Sequence, residues 1–271
     1  MVPASTAEDV HNKSMPLSWS MGKSPALGCW RSHANVWRKI INEDIATAII
    51  LEDDADWDVN VKEQMFLQSQ AILSNPNLVT NDNSVENGKP YRDDWDIFFL
   101  GACGVSPHVN KTANVGPYLV VKDPFMEERR KLTPTFIDSL NHFGVHEEGE
   151  RVLFRASATL CTTGYAVSKK GAGRLLYHIG WKDFSSPVDN EMSWRIEDGS
   201  VRGITTAPAI FAMFKTNSSR DSDIQTFKSS NKKVANADGH TPQIRESARV
   251  AMKDFYAHET PAEEYWEHSG L

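Results

Sequence analysis

The sequence is short of cysteine, of positive charge and of long apolar runs, and each shortage excludes a class of protein. Three cysteines (Cys29, Cys103 and Cys161) are too few and too scattered for a disulfide framework or a zinc cluster. They read most simply as buried thiols. One bridge is compatible with the count, but the sequence does not choose the pair. Lys and Arg total 29 against 36 Asp and Glu, a formal net charge of -7. That balance argues against a scaffold that grips nucleic acid by neutralising phosphates. A single anionic nucleotide can still be held through a metal ion and a few basic side chains. No stretch approaches the length of a membrane span, and Met1-Val2-Pro3-Ala4-Ser5 lacks the pattern of a secretory leader. Sequons at Asn12, Asn110 and Asn217 are no more than chance supplies and leave the compartment open. What remains is a globular chain, 40% hydrophobic and 24% charged, whose 271 residues can bury one large core or two small ones.

Periodicity then divides the chain. A helix is predicted over 24–42, because Ala26, Leu27, Cys29, Trp30, His33, Ala34, Val36, Trp37, Ile40 and Ile41 fill one wide arc at helical spacing. A second helix is expected over 61–74 with Met65, Ile72 and Leu73 inward, followed by an Asn- and Asp-rich loop over 75–94. The run 95–101 (WDIFFLG) reads as a buried strand, 107–141 as loops and short strands, and 156–165 as another strand. Ser168 is a plausible N-cap for the helix after it, and Pro187 opens a further helix with acids in its first turn. Strand and loop are expected over 201–214, an exposed polar stretch over 216–240, and a last helix over 243–257. No internal repeat is visible.

The most informative segment is the apolar run 46–51, ending in Glu52-Asp53-Asp54 and then Asp56. Acids this frequent give about 0.6 runs of three by chance, so the triplet alone decides nothing. Its position does more. A β-branched run reads as a buried strand, and ligands of open α/β sheets bind beyond the carboxyl ends of strands. Strand alternation would turn Glu52, Asp54 and Asp56 one way and Asp53 the other. Such oxygens suit a hard divalent cation that also holds a phosphate. A solvated strand end or a helix cap explains them equally well.

Several segments follow one pattern in order: 28–33 (GCWRSH), 49–54 (IILEDD), 95–101, 164–172 (GYAVSKKGA), 187–189 (PVD) and 221–224 (DSDI). This ordered set resembles glycosyltransferase family 25, which includes lipopolysaccharide-building enzymes and collagen galactosyltransferases, and its Trp-rich form most resembles fungal members. The resemblance runs from Gly28 to Ile224. It implies an α/β fold of the GT-A type, a mixed and mostly parallel sheet flanked by helices. It divides the chain into a non-matching segment 1–23, a transferase domain 24–224, and a polar linker with a C-terminal helix and tail over 225–271. Family members begin with a strand ending in Asn-Leu, followed by Arg-rich residues that help bind the nucleotide. Nothing before Ser24 matches it, so the resemblance implies an N-terminally truncated chain.

The resemblance further implies an inverting, metal-dependent transfer of a hexose, galactose or a relative, from a UDP-sugar to an acceptor hydroxyl. The acceptor would be a glycan or glycoprotein, and the setting the secretory pathway. The cation would be manganese, with Asp54 and Glu52 as ligands, because a bound cation stabilises the departing diphosphate as a Lewis acid. Glu52, Asp53, Gly164, Tyr165 and Asp223 would contact the donor, with Asp221 beside them. Asp189 would be the general base, with Glu191 as the neighbouring candidate. Against these stand blander roles: Asp189 capping its own helix, His33 as a satisfied core histidine or as an anchor for the acid strand, and Gly164 with Tyr165 as strand-end packing. Two other functions stay open, a catalytically degenerate member that binds a glycan or protein, and a metal-dependent phosphoryl hydrolase. The hydrolase leaves the 28–33 helix unexplained and lacks a nucleophile motif.

Overall fold

The structure, a computed structural model, describes residues 1–16, 18–78, 91, 94–107, 117–216 and 239–258. Most of the 75–94 loop, the sequons at Asn110 and Asn217, and Asp221 and Asp223 lie outside the described residues.

A central sheet carries two layers of helix. Its strands are β1 (Thr47–Leu51), β3 (Ile97–Phe99), β4 (Gly104–Pro107), β5 (Tyr118–Lys122), β6 (Glu150–Leu160), β7 (Gly164–Ser168) and β8 (Gly203–Ala207). The order is β1-β7-β3-β8-β6-β4, with β5 also paired to β6. A short ribbon beside it joins β2 (Ala55–Trp57) to β9 (Phe211–Met213), antiparallel. The expected mixed α/β sheet is present, but it is not mostly parallel. Within it the parallel pair among the described residues is β3 with β8, and the other pairings are antiparallel. Helix–strand alternation in a sequence fixes which elements form, not which strands become neighbours.

Alternation along the strands builds a core on each face. Ile97, Phe99, Val152, Phe154, Tyr165 and Val167 point to the side of α1 (Pro25–Asn42), α3 (Pro134–His142), α4 (Lys169–Leu175) and α5 (Val188–Glu197). Phe98, Leu100, Leu153, Ala166 and Ile204 point to the other side, where α2 (Val61–Ser74) supplies Ile72. A final helix, α6 (Ala248–His258), packs on β2.

The helix over 24–42 forms with the expected arc, and Pro25 takes the first helical position where its missing N–H costs nothing. Ser168 caps α4, accepting from the Gly171 N–H at 3.0 Å. Elsewhere the expectations shift. The predicted strand over 156–165 is two strands, because Cys161 adopts a left-handed turn (φ 66°) that separates β6 from β7. Helix α3 falls inside the stretch expected to be loops and short strands, started by Pro134 and buried through Phe136 and Leu140. In α2, Ile72 is buried but Leu73 is 42% exposed, while Gln64, Gln68 and Ser69 turn inward. A buried ion pair, Arg151 to Asp123 at 2.8 Å, explains part of that polar face. Gln64 Nε2 donates to Asp123 at 3.2 Å. Strand β1 is less buried than its composition suggests. It pairs only with β7 among the described residues and leaves Ile49 half-exposed.

Candidate functional site

The acid triplet sits in a turn rather than on a continuing strand. β1 stops at Leu51, and the Ala55 N–H closes back on the Glu52 carbonyl at 3.1 Å. The turn ends the alternation that would have aligned Glu52, Asp54 and Asp56, so the acids meet different surroundings. Glu52 faces α1. It accepts from Thr162 Oγ1 at 2.5 Å, and one of its oxygens lies 3.6 Å from His33 Nε2. Burial opposes ionisation of Glu52, but the contacts to His33 and Thr162 outweigh it and hold the carboxyl below its ordinary value. Asp53 is exposed, and its backbone carbonyl accepts from the Arg249 guanidinium. Asp54 is half-buried, and its Oδ1 is buried without a hydrogen-bond partner. Burial, reinforced by the charges of Glu52 and Asp53 and eased by Arg249, raises its carboxyl to about 6. Asp56 turns fully inward and accepts from Ser247 Oγ at 2.5 Å and the Arg249 N–H at 3.1 Å. It anchors the start of α6 and is no part of a cation site.

Behind Glu52 lies a buried polar chain. His33 Nδ1 is 2.8 Å from the Tyr165 hydroxyl, which also accepts from Trp37 Nε1 at 3.0 Å. His33 is therefore both a satisfied core histidine and an anchor beside the acid turn. Tyr165 is fully buried, and a Cβ on Gly164 would overlap the Phe211 ring, so neither presents a surface to a sugar. They serve packing, and Tyr165 bears on the site only through His33. Cys29, one helical turn before His33, has its thiol pushed up to about 12 by burial, with Glu52 and Asp189 adding to the rise.

Asp189 joins this corner from α5. Its Oδ1 accepts from the adjacent Asn190 N–H at 2.9 Å, and its Oδ2 reaches the Cys161 N–H at 3.2 Å. The second bond is tertiary, so Asp189 does more than cap its own helix. Glu191 is placed differently. It is fully buried, and its Oε1 accepts from the Ser185 and Ser186 N–H groups at 2.7 and 3.1 Å. That makes it the fastening of the loop before α5.

The turn 161–163 links the two carboxylates. Besides the Thr162 and Cys161 contacts, the Thr163 carbonyl accepts from the Glu52 N–H at 3.1 Å. Cys161 is bonded to Cys103, so two of the expected free thiols form a bridge and only Cys29 stays free. Nothing in the spacing of Cys103 and Cys161 announces that bridge. Thr162 and Arg249 are likewise contributors that sequence patterns do not single out, because ordinary residue types become informative only through what they touch.

The donor set separates by chemistry. Among the described residues, the group of at least three metal-ligating side chains that converges is Cys29, His33 and Glu52, not the acid triplet. Of the triplet's side chains, Asp54 is the one that keeps a buried oxygen without a partner.

Residues 17–192, well over half of the chain, match the model for glycosyltransferase family 25 (LPS biosynthesis protein). The chain belongs to glycosyltransferase family 25. Both carboxylates of the corner, Glu52 and Asp189, fall within the matched residues; Arg249 and the 221–224 segment lie beyond them. A bovine (Bos taurus) protein named "Probable inactive glycosyltransferase 25 family member 3" is 22% identical over 94 residues, which is 35% of this chain and 13% of that protein. Procollagen galactosyltransferase 1 of Danio rerio is 24% identical over 75 residues, 28% of this chain and 10% of that protein. This family 25 chain thus aligns with about a tenth of the length of these curated relatives. No helix among its described residues is long and apolar enough to cross a membrane.

Proposed function

We propose that this family 25 chain transfers a hexose, galactose or a close relative, from a UDP-sugar to a hydroxyl of a glycan or glycoprotein, with inversion. The observation that carries the proposal is the meeting of Glu52 and Asp189, from separate motifs, on the one disulfide-fastened turn 161–163. Glycosyl transfer needs both charge stabilisation for a leaving diphosphate and a carboxylate base for the acceptor, and this corner offers a carboxylate for each. Asp54, with Glu52, would hold manganese or a similar divalent cation, which supplies Lewis-acid stabilisation of the diphosphate. Asp189 is half-exposed and both its oxygens accept backbone hydrogen bonds, a fixed orientation that supports reading it as the base for the acceptor proton. The Cys103–Cys161 bridge suits an oxidising compartment such as the secretory pathway.

A second reading, a non-catalytic member that binds a glycan or protein, draws support from the way Glu52 is already engaged by Thr162. Calorimetric titration with UDP, with and without manganese, separates the two. UDP should bind in a manganese-dependent way, and Asp54→Ala should abolish that dependence while leaving the circular-dichroism spectrum unchanged. Asp189→Asn should keep UDP binding and lose transfer; unchanged transfer would reject its role as base. No binding at millimolar UDP with manganese present would reject the catalytic reading in favour of the second one.

A further inference from the structure

Cys29 and His33 are four residues apart on α1, so both side chains emerge from one face of the helix. Glu52 comes to the same point from the end of β1. One ligand atom from each of the three lies within 4.8 Å of the others. The separation of His33 Nε2 from the Glu52 oxygen, 3.6 Å, is too long for a hydrogen bond. It is close to the spacing of about 3.4 Å between two ligands of a tetrahedral ion whose bonds are about 2.0–2.2 Å. Both groups are held from behind. The other ring nitrogen of His33 is fixed by the Tyr165 hydroxyl, itself tied to Trp37, and Glu52 is fixed by Thr162. Outer partners of this kind are what orient metal-bound histidines and carboxylates in general.

We propose that Cys29, His33 and Glu52 form a site for a borderline transition-metal ion of the zinc or cobalt type, distinct from the hard cation assigned to Asp54. A sulfur, an imidazole nitrogen and one carboxylate oxygen favour such an ion over manganese or magnesium, which prefer all-oxygen shells. The Cys29 thiol loses its proton to solvent as its sulfur bonds the metal, and no redox change is involved. His33 binds as the neutral imidazole through Nε2. Three protein ligands leave one position of a tetrahedral shell for water. Since Glu52 serves both ions, filling this site withdraws it from the donor cation and leaves Asp54 alone. Zinc would then oppose manganese-dependent UDP binding.

Cobalt titration of the full chain with the disulfide intact provides the test. The chain has three cysteines and two of them form the bridge, so any thiolate-to-cobalt charge-transfer band must come from Cys29. One equivalent of cobalt should produce that band together with intense tetrahedral ligand-field absorption. Cys29→Ser should abolish the band. His33→Gln, which keeps the thiol, should weaken cobalt binding by at least tenfold, and Tyr165→Phe by about tenfold through loss of the outer partner. Asp54→Ala should leave cobalt binding unchanged while removing the manganese dependence of UDP binding, so the two sites fail separately. Absence of the band at excess cobalt in the folded wild-type chain, or its survival in Cys29→Ser, would overturn the assignment. A cobalt affinity unmoved by His33→Gln would overturn it as well.

Discussion

The placement of Asp54 costs the fold stability, and Asp54→Asn should make the metal-free protein more stable at neutral pH. Burial and the charges of Glu52 and Asp53 lift its carboxyl from 3.8 to about 6 in the folded chain. The sign follows from proton counting. At low pH both folded and unfolded chains carry the proton, and nothing is lost. As pH rises from 3.8 the unfolded chain ionises first, so stability falls until the folded carboxyl ionises near 6. The full difference corresponds to about 3 kcal/mol. Asp54 keeps part of its surface in water, and screening there reduces the expected contribution to about 1–2 kcal/mol. Asparagine has nearly the same shape and cannot ionise, so it removes this slope. Urea denaturation in chelator should show Asp54→Asn ahead of wild type by about 1–2 kcal/mol near pH 7.5, with the gap closing near pH 4. Manganese should reverse the ranking by stabilising only the wild type through binding. If the variant is no more stable than wild type near pH 7.5, or if the gap does not change with pH, the account of this carboxylate is wrong.

Replacing both bridge cysteines (Cys103→Ser with Cys161→Ser) should destabilise the chain by about 4 kcal/mol in the chain-entropy treatment of a loop of 58 residues. It should also weaken manganese-dependent UDP binding, because the turn holding Glu52 and Asp189 is released. Equilibrium denaturation and calorimetry read the two effects, and a loss below about 1 kcal/mol would show that the bridge does not constrain the unfolded chain. Gly171→Ala should cost about 3 kcal/mol or more, because its Cβ would fall on the Asp96 carbonyl where α4 crosses the start of β3. Thermal unfolding of that variant at wild-type temperature would refute the close approach.

How much of the fold is legible in the sequence varies by element. Helix α1 was readable because a single face carries its whole apolar arc, and the cap at Ser168 because a hydroxyl before a helix has one obvious partner. Helix α3 is not legible in sequence because nine residues give little more than two turns of periodicity. The inward turn of Gln64 in α2 is not legible in sequence because its polar partner, Asp123, lies 59 positions away, and nothing in the structure explains the burial of Gln68, whose amide atoms have no hydrogen-bond partner.

By itself the sequence determined the family, the mixed α/β class and the presence of acids at a strand end. Those depend on the order of segments and on local spacing, which survive in one dimension. Tertiary structure decided how the acids divide. Asp54 keeps an unpartnered oxygen, Asp56 fastens α6, Glu191 fastens its own loop, and Glu52 meets both His33 and the turn that holds Asp189. A carboxylate's role is set by what desolvates it and what donates to it, and those neighbours come from residues more than a hundred positions away, such as Thr162 for Glu52 and Arg249 for Asp56.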